Sequence, residues 1–409
     1  MHDELAEANG TASRLSGARR RALLTRALLV VTALAFASAP EAGGAEEDAA
    51  HAADIRERLG ARAYPSVFQA WNPADNLPDE ERWATVARHD LVWSSPWFYG
   101  LAWASETTGL VDGFTDESIA TATETRSRLL ALNPAIVLIA EIRYRDAYVG
   151  FLPEGHRWWL TGDDGGPVAG WDEGGYNLLA YADPEYRAHV AARAKAAVAT
   201  GVVDGILLDW WDDDPDRLAL LREVREAIGP DALIIANSND RRVPESAPYV
   251  NGLFMEAYRS ETPADWRRLA GTLAWAETSL REPRVNCLET WFHESRDDLH
   301  LMRATTTLAL TVSDGYCLFS DPNPLPTADH LHNWYGFWEK GLGRPLAKGV
   351  EQDDGTTRRE FERGTAVYNP MGGRTATVRF DEDRVSRATG VRGRVHKVAA
   401  SDGDIFLAP

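Results

Sequence analysis

Cysteine is scarce in this sequence, which contains only Cys287 and Cys317 in 409 residues. Both lie in apolar runs that look like neighbouring strands, where the geometry of a disulfide bond is seldom met, so we expect two buried free thiols. No group of Cys and His residues has the spacing of zinc ligands, and the one His-x-His pair, His330 and His332, falls in a segment that we predict to be helical. The sequence therefore predicts no bound metal and no cofactor.

Positive charge is also in short supply. The chain has 43 Lys and Arg residues against 62 Asp and Glu residues, which gives a formal net charge of -19 at pH 7. Such a surface repels a phosphate backbone, and no basic cluster occurs beyond the extreme N-terminus. Nucleic acid is therefore not an expected partner, and a neutral or cationic substrate is favoured.

Long apolar runs are missing after residue 39. The run at 27–39, ALLVVTALAFASA, follows Arg19–Arg21 and Arg26, and the small residues near its end suit signal peptidase. It is shorter than the ~20 residues that a membrane span needs. We therefore predict that residues 1–45 are a signal peptide and linker, with an uncleaved membrane anchor as the alternative. The mature protein is expected to be secreted or extracytoplasmic, in the periplasm or at the cell surface, without an integral membrane span.

From residue 64 onward, short β-rich apolar runs alternate with helical stretches. The stretches 184–201 and 214–229 each begin with Pro beside an Asp cap and end at Gly, as helices do. Eight strand–helix units in about 260 residues, with strands apolar throughout, match a (β/α)8 TIM barrel. A doubly wound open sheet is the alternative, but no GxGxxG follows the first strand. The predicted strands lie within 66–71, 90–95, 135–144, 202–211, 232–239, 251–258, 284–291 and 314–320.

Two regions depart from the barrel pattern. Residues 145–182 interrupt the third unit with a long insertion rich in Trp and carboxylates, which is a candidate lid or substrate wall. Residues 345–409 alternate polar and apolar residues, as a small antiparallel β-domain does. We therefore predict a catalytic barrel at 46–344 and a small C-terminal β-sandwich-like domain at 345–409.

Acidic residues end four of the predicted strands, the third, fourth, sixth and seventh. Because side chains alternate along a strand, each acid shares its face with apolar or small residues that point into the barrel. Active sites of barrels lie at the carboxyl ends of the strands, so four carboxylates are expected to meet at one mouth. Such carboxylates differ in pKa, and one acid with one base or nucleophile suits glycoside hydrolysis. In chain order they are Glu141, Asp209, Glu256 and Glu289.

Aromatic and amide side chains cluster near the same strand ends. The chain has 15 Trp residues, and several lie at or just past a predicted strand, where an indole face can stack on a sugar ring. Asparagine amides there supply the neutral hydrogen bonds that sugar hydroxyls need. The candidate substrate-binding residues, besides Glu141 and Glu289, are Trp71, Asn72, Trp93, Trp97, Trp210, Trp211, Asn237, Asn239 and Trp291.

Some of these features have a purely structural alternative. Glu141 lies beside Arg143 and Arg145, and a lone acid at a strand end is often an ion-pair partner. Asp204 points to the opposite face from Asp209, so we expect it to be structural. The run 212–214 is expected to form a solvated turn and the N-cap of the next helix.

Four motifs together resemble a known group of proteins over residues 64–385: DGILLDWW, LFMEAY, DGYCLF and REFERGTAVYNP. The chain resembles glycoside-hydrolase-like barrel families such as hypothetical glycosyl hydrolase family 15. It is more distantly similar to endo-α-1,4-polygalactosaminidases and α-galactosidase-type barrels. The resemblance implies a TIM barrel with a short C-terminal β-domain and an acid after the fourth and sixth strands, here Asp209 and Glu256. It implies a carbohydrase without naming the substrate.

The sequence therefore predicts a secreted glycoside hydrolase that cleaves a poly- or oligosaccharide. Asp209 is the predicted nucleophile, or the base that activates water, and Glu256 is the predicted general acid. Glu289 and Glu141 are expected to bind hydroxyls or adjust the pKa of that pair. A catalytically silent glycan-binding barrel at the cell surface is the alternative. A phosphodiester hydrolase is disfavoured, because the strand ends lack metal-binding histidines.

Overall fold

The computed structural model describes residues 54–321 and 330–409. The predicted signal peptide and linker at 1–45 lie outside these residues, and export stays a prediction. None of the helices in the described segments is long and apolar enough to cross a membrane.

Within the described residues, eight parallel strands form one nearly closed barrel, and each of the eight predicted runs contains one of them. Each strand pairs with the next barrel strand along the chain, and a parallel bridge between Val67 and Cys317 joins the first to the last. The predicted TIM barrel is therefore confirmed. Its strands are β1 (Phe68–Ala70), β2 (Leu91–Ser94), β3 (Val137–Glu141), β6 (Gly205–Leu208), β7 (Leu233–Asn237), β8 (Gly252–Ala257), β9 (Cys287–Trp291) and β10 (Tyr316–Ser320).

Two glycines allow the strands that carry the key acids to start close to their neighbours. A Cβ atom at Gly205 would lie 2.2 Å from the carbonyl oxygen of Leu233, and one at Gly252 would lie 2.3 Å from that of Val285. Only glycine permits such a backbone approach. The positions of β6 and β8 in the barrel therefore depend on residues without side chains.

The helices of the barrel begin with side-chain caps. Asp183 and Asp214 each accept backbone N–H groups of the following turn and precede a proline, as the sequence predicts. The turn at 212–214 therefore has its expected structural role at Asp214. In the described residues the α-helices with complete bounds are α1 (Arg82–Ala87), α2 (Asp116–Leu132), α3 (Pro184–Ala199), α4 (Pro215–Ile228), α5 (Pro263–Ser279) and α6 (Leu299–Val312), and residues 54–61 are also helical.

The insertion at 145–182 contains a short hairpin of β4 (Asp146–Tyr148) and β5 (Tyr176–Leu178). The buried Asp146 carboxylate accepts the backbone N–H of Trp171 at 3.1 Å. Trp158 stacks on His189 of α3, with ring centroids 4.8 Å apart. The first contact joins two parts of the insertion, and the second holds the insertion against helix α3 of the barrel.

The C-terminal residues form a six-stranded antiparallel sheet in the part described after residue 330. Its strands are β11 (Val350–Glu351), β12 (Thr357–Phe361), β13 (Gly364–Asn369), β14 (Ala376–Ser386), β15 (Arg392–Val398) and β16 (Asp402–Leu407). Val367, Val378, Val398 and Phe406 form a small core of their own within it. The predicted antiparallel β-domain is confirmed, and its predicted boundary at residue 345 stays a prediction.

Helix α6 joins the barrel to the C-terminal sheet. Arg303 binds Asp402 of β16 at 2.8 Å, and Arg359 of β12 donates to the carbonyl oxygen of Ser313 at 2.6 Å. All residues from 304 to 311 are buried, which is more than two helical turns covered on every side. A helix that is buried all round needs both the barrel and the sheet in place.

The two cysteines lie on adjacent barrel strands, β9 and β10. Both are buried and free, as the sequence analysis predicts. Burial raises the pKa of the Cys317 thiol from its ordinary value to about 12, so the thiol is protonated at neutral pH.

Asp204 anchors the base of β6, on the face opposite Asp209. Its carboxylate binds Arg58 at 2.6 Å and Arg126 at 2.8 Å, and it accepts the backbone N–H of Leu138 at 2.9 Å. Burial alone would raise the pKa of Asp204, but the two guanidinium groups lower it below the usual value. The structural role expected for Asp204 agrees with these contacts.

Replacing Asp204 by Ala should lower the free energy of unfolding by about 3–5 kcal/mol, because the change leaves buried guanidinium groups without their carboxylate. Urea titration followed by circular dichroism measures this. The matched control is Asp212→Ala, which removes an exposed ion pair with Arg241 and should cost about 0–1 kcal/mol. Equal effects of the two substitutions would contradict a structural role for Asp204.

Candidate active site

Three neighbouring barrel strands end in side chains that meet at the barrel mouth. The buried Asn237, the last residue of β7, donates from Nδ2 to Oδ1 of Asp209 at 2.8 Å and to Oε2 of Glu256 at 2.9 Å. Two oxygens at these distances from one nitrogen are at most about 5.7 Å apart. The structure therefore brings the two predicted catalytic carboxylates and one predicted binding amide into a single hydrogen-bonded group.

The chain after β6 explains why a buried run ends in an acid and two tryptophans. Trp210 has a positive φ of 50°, which is rare for a large side chain and turns the chain out of the sheet. Trp211 is then fully buried, and its Nε1 donates to Oγ of Ser246 at 2.8 Å. Its backbone N–H donates to the carbonyl oxygen of Asn237 at 2.6 Å. Trp211 thus holds the turn that presents Asp209, and Trp210 is left 44% exposed.

The surroundings of Glu256 shift the pKa of its carboxyl group. Burial of its carboxyl is the largest cause, and the negative charges of Glu289 and Asp209 act in the same direction. His330 and the Asn237 amide oppose the shift, and the net effect raises the pKa of Glu256 from 4.5 to about 8. At neutral pH Glu256 therefore carries a proton that it can donate.

Glu289 lies fully buried on β9, beside Glu256 in the strand register. Oε1 of Glu289 accepts a hydrogen bond from the Ser320 hydroxyl, and Nδ1 of His330 lies 2.8 Å from the same oxygen. The His330 ring packs edge-on against Trp93 and Phe254, with centroids 5.7 and 5.8 Å away. Glu289 is therefore held in place by polar partners and is not itself an open catalytic group.

His330 is a residue whose position the sequence analysis got wrong. We predicted that His330 and His332 lie in a helix, but both are in irregular structure and His330 has a φ of 52°. Its side chain nevertheless contacts the Glu289 carboxylate at 2.8 Å. The signal in the sequence was the position of His330 after the last barrel strand, because loops after barrel strands line the active site.

Glu141 is an ion-pair partner, which is the structural alternative to substrate binding. Its Oε1 pairs with Nε of Arg143 at 2.9 Å. Burial alone would lower the pKa of Arg143, but Glu141, Tyr176 and Asp209 raise it above its usual value. The guanidinium also lies over the rings of Trp71 and Tyr176, at 5.7 and 5.0 Å from their centroids. Glu141 thus orients a cation near Asp209, and Arg143 is a site residue that we did not predict.

The predicted aromatic residues divide into supporting and exposed groups. Trp93 is only 2% exposed and packs against Trp71 and Phe254, so it supports the mouth and presents no free face. The buried Trp211 has the same supporting role after β6. The prediction that Trp93 and Trp211 contact substrate is therefore corrected. Trp97 is 71% exposed. Trp71, Trp210 and Trp291 lie at strand ends and are partly or mostly accessible.

The other two predicted asparagines follow strands β1 and β7. Asn72 comes directly after Trp71, and its backbone N–H donates to the carbonyl oxygen of Ala70 at 2.6 Å. The backbone N–H of Asn239 donates to Oδ1 of Asn237 at 3.1 Å. Asn239 therefore fixes the amide orientation of Asn237, so that Nδ2 faces the two acids.

Among the described residues, one group has side chains that could hold a metal ion. Ligand atoms of Glu256, Glu289 and His330 lie within 4.8 Å of one another. Two carboxylates and one imidazole are ligands that suit a transition metal. However, His330 already contacts Glu289, so the group is explained as a hydrogen-bonded carboxylate cluster.

No protein-family model and no curated protein sequence matches this chain. Solved structures do match its fold. An α-amylase from Lactobacillus plantarum has a TM-score of 0.51 at 13% sequence identity, covering 87% of this chain and 100% of that chain. A maltogenic α-amylase from Thermotoga neapolitana has a TM-score of 0.50 at 10% identity, covering 85% and 100%. The chain thus shares the barrel fold of these glycoside hydrolases, and the resemblance to hypothetical glycosyl hydrolase family 15 stays a prediction.

The raised pKa of Glu256 should be visible in stability measurements. A carboxyl that titrates near pH 4.5 when unfolded and near 8 when folded stabilises the fold at low pH, and this contribution is lost as the pH rises through 8. Glu256→Gln has no such proton to lose. Its melting temperature should therefore fall less than that of the wild type between pH 6 and pH 9 in differential scanning calorimetry. Glu261→Gln, an exposed carboxyl nearby in sequence, should follow the wild type, and parallel curves for all three proteins would refute the shift.

Proposed function

We propose that this protein is a retaining glycoside hydrolase that acts on an oligo- or polysaccharide. One observation carries the proposal: two carboxylates share a single amide donor at the mouth of a TIM barrel, and one of them is protonated at neutral pH. One acid and one nucleophile at this separation are what glycoside hydrolysis with retention requires. The fold of the structural neighbours supports the same class.

In the first step the Asp209 carboxylate attacks the anomeric carbon of the bound sugar. An ester bond forms between Asp209 and that carbon while the glycosidic C–O bond breaks. The proton of Glu256 moves to the departing oxygen, which leaves as a hydroxyl group. Asn237 donates to both carboxylates, so it keeps the two groups aligned through the step.

In the second step Glu256, now ionised, accepts a proton from a water molecule. The water oxygen bonds to the anomeric carbon, and the ester bond to Asp209 breaks. The sugar leaves with its original configuration, and Glu256 regains its proton. Glu289 and His330 favour this exchange because their opposing charges adjust the proton affinity of Glu256.

The separation of the carboxylates supports retention over inversion. Retaining enzymes place the two carboxyl groups about 5–5.5 Å apart, and inverting enzymes about 6.5–9.5 Å apart to admit a water molecule. The shared Asn237 amide limits the facing oxygens to about 5.7 Å, which is below the inverting range and close to the retaining one.

The charge around the mouth favours a neutral sugar or one that bears amines. The carboxylates of Asp209 and Glu289 lie there beside the protonated Glu256, and Arg143 is already paired with Glu141. An anionic sugar would face repulsion from these groups. We also propose, from residues 1–45 alone, that the protein is exported and meets its substrate outside the cytoplasm.

Substitution of the two acids tests the proposal on a panel of polysaccharides and aryl glycosides. Asp209→Asn should abolish turnover of every substrate, because the amide is a poor nucleophile. Glu256→Gln should slow substrates with sugar leaving groups by about 10²–10⁴-fold and spare those with activated phenol leaving groups, which need no proton. Asp212→Asn, on the exposed turn nearby, is the control. Equal rates of product release by the wild type and Asp209→Asn would contradict the catalytic role of Asp209. Binding of a glycan by the wild type without any product would favour the glycan-binding alternative.

Proton NMR of the first-formed product tests retention. The released sugar should carry the anomeric configuration of the substrate before mutarotation sets in. Incubation with methanol should also yield a methyl glycoside of the same configuration, because an alcohol can replace water in the second step. Initial release of the opposite anomer would exclude Asp209 as a covalent nucleophile.

A further inference from the structure

An aromatic pair lies beside the proposed acid and takes no part in the chemistry described so far. Tyr258 follows β8 directly, and Trp291 is the last residue of β9. Their ring centroids are 6.1 Å apart, with the ring planes at 45°. Tyr258 is 40% exposed, and Trp291 is partly exposed. The pair is therefore an accessible aromatic surface on the rim of the barrel.

The chain positions of the two aromatic residues place this surface next to Glu256 and Glu289. Trp291 comes two residues after Glu289 on β9, so its ring continues the row of that acid. Tyr258 lies just past the end of β8, where its backbone N–H donates to the carbonyl oxygen of Glu256 at 3.1 Å and the chain leaves the extended form. Glu256 and Glu289 are partners in the register of β8 and β9. The contact between the two rings therefore lies at the carboxyl ends of β8 and β9, the strands that carry these two acids.

A neighbouring cation fixes the tyrosine. Nη2 of Arg259 donates to the Tyr258 hydroxyl at 2.7 Å, and the guanidinium carbon lies 4.9 Å from the centre of its ring. A side chain held in this way loses little freedom when a ligand binds. The Tyr258–Trp291 pair is therefore suited to stacking on the apolar face of a sugar ring.

The geometry of the proposed reaction indicates which sugar of the substrate contacts the Tyr258–Trp291 pair. The nucleophile and the departing oxygen lie on opposite sides of the anomeric carbon. Asp209 follows the fourth barrel strand, whereas Glu256 is on the sixth, and Glu256 must touch the departing oxygen to give it a proton. The sugar that carries this oxygen thus lies on the β8–β9 side, where Tyr258 and Trp291 are. Trp210, on the strand of the nucleophile, lies on the other side.

We propose that Tyr258 and Trp291 form the binding site for the leaving-group sugar, so that the natural substrate is a saccharide chain with sugar units on both sides of the cleaved bond. This inference rests on the proposed function. It makes the two aromatic residues determinants of substrate length, and it separates them from residues that bind the sugar attached to Asp209.

Two substrates that share the same sugar on the Asp209 side distinguish these roles. One is the oligosaccharide that the polysaccharide panel identifies, and the other is the glycosyl fluoride of its sugar unit, whose leaving group is a fluoride ion. Trp291→Ala and Tyr258→Ala should each lower kcat/KM for the oligosaccharide on the order of 10- to 100-fold. Both variants should turn over the fluoride at the wild-type rate, since the fluoride ion reaches neither ring.

Acceptor transfer gives a second measurement of the same site. In a retaining enzyme an added sugar replaces water in the second step and binds where the leaving sugar was. With the glycosyl fluoride as donor, Trp291→Ala and Tyr258→Ala should therefore give less transfer product and more hydrolysis than the wild type. Trp291→Phe should give an intermediate ratio, because a smaller ring keeps part of the stacking area.

Two further variants serve as controls. Trp275→Ala removes a tryptophan of similar burial from helix α5 on the outside of the barrel, and it should change neither substrate. Trp210→Ala should slow both substrates, since it acts on the Asp209 side. Equal losses on fluoride and oligosaccharide in the Tyr258 and Trp291 variants would overturn the inference and leave the hydrolase standing. If the wild type cleaves neither substrate, the proposed function fails and the inference fails with it.

Discussion

The site depends on one amide group that holds two carboxylates together. Asp209 and Glu256 repel each other when both are ionised, and the Asn237 amide donates a hydrogen bond to each. The three side chains come from β6, β7 and β8, which are consecutive in the barrel. Only a parallel sheet brings the carboxyl ends of three such strands to one edge. The spacing of the two acids is therefore set by the barrel itself, with the amide as the central link.

Positively charged partners are distributed unevenly on the two sides of the Asn237 amide. On the β3 side Arg143 lies between Glu141 and Asp209, so negative charge there has a permanent counterion. On the β9 side the Glu289 carboxylate contacts an imidazole, His330, whose charge depends on a proton. Glu256 keeps its proton because burial outweighs the opposing effect of His330, while the acid near Arg143 has a fixed cation close by. This asymmetry assigns different roles to two residues of the same chemical kind.

The parts of the site that the sequence could predict are those fixed by local periodicity. Asp209, Glu256 and Asn237 each end an apolar strand, and alternation along the strand tells which way they point. His330 was missed because its contact with Glu289 joins residues 41 positions apart in the chain, and local periodicity carries no information about such a contact. Trp211 was misjudged for a related reason, since the positive φ of Trp210 ends the alternation one residue earlier. Sequence patterns thus fail where the chain leaves regular structure.

Helix α6 has a consequence for how the molecule is made. It precedes the eighth barrel strand, yet eight consecutive residues of it, 304–311, are covered partly by strands that end only at residue 407. A nascent chain emerging from the ribosome therefore exposes this helix until strands β13 and β16, which cover it, have been synthesised. The barrel is not a finished module to which a tail was added. Its full packing requires β16, a strand that begins about 80 residues after the barrel strands end.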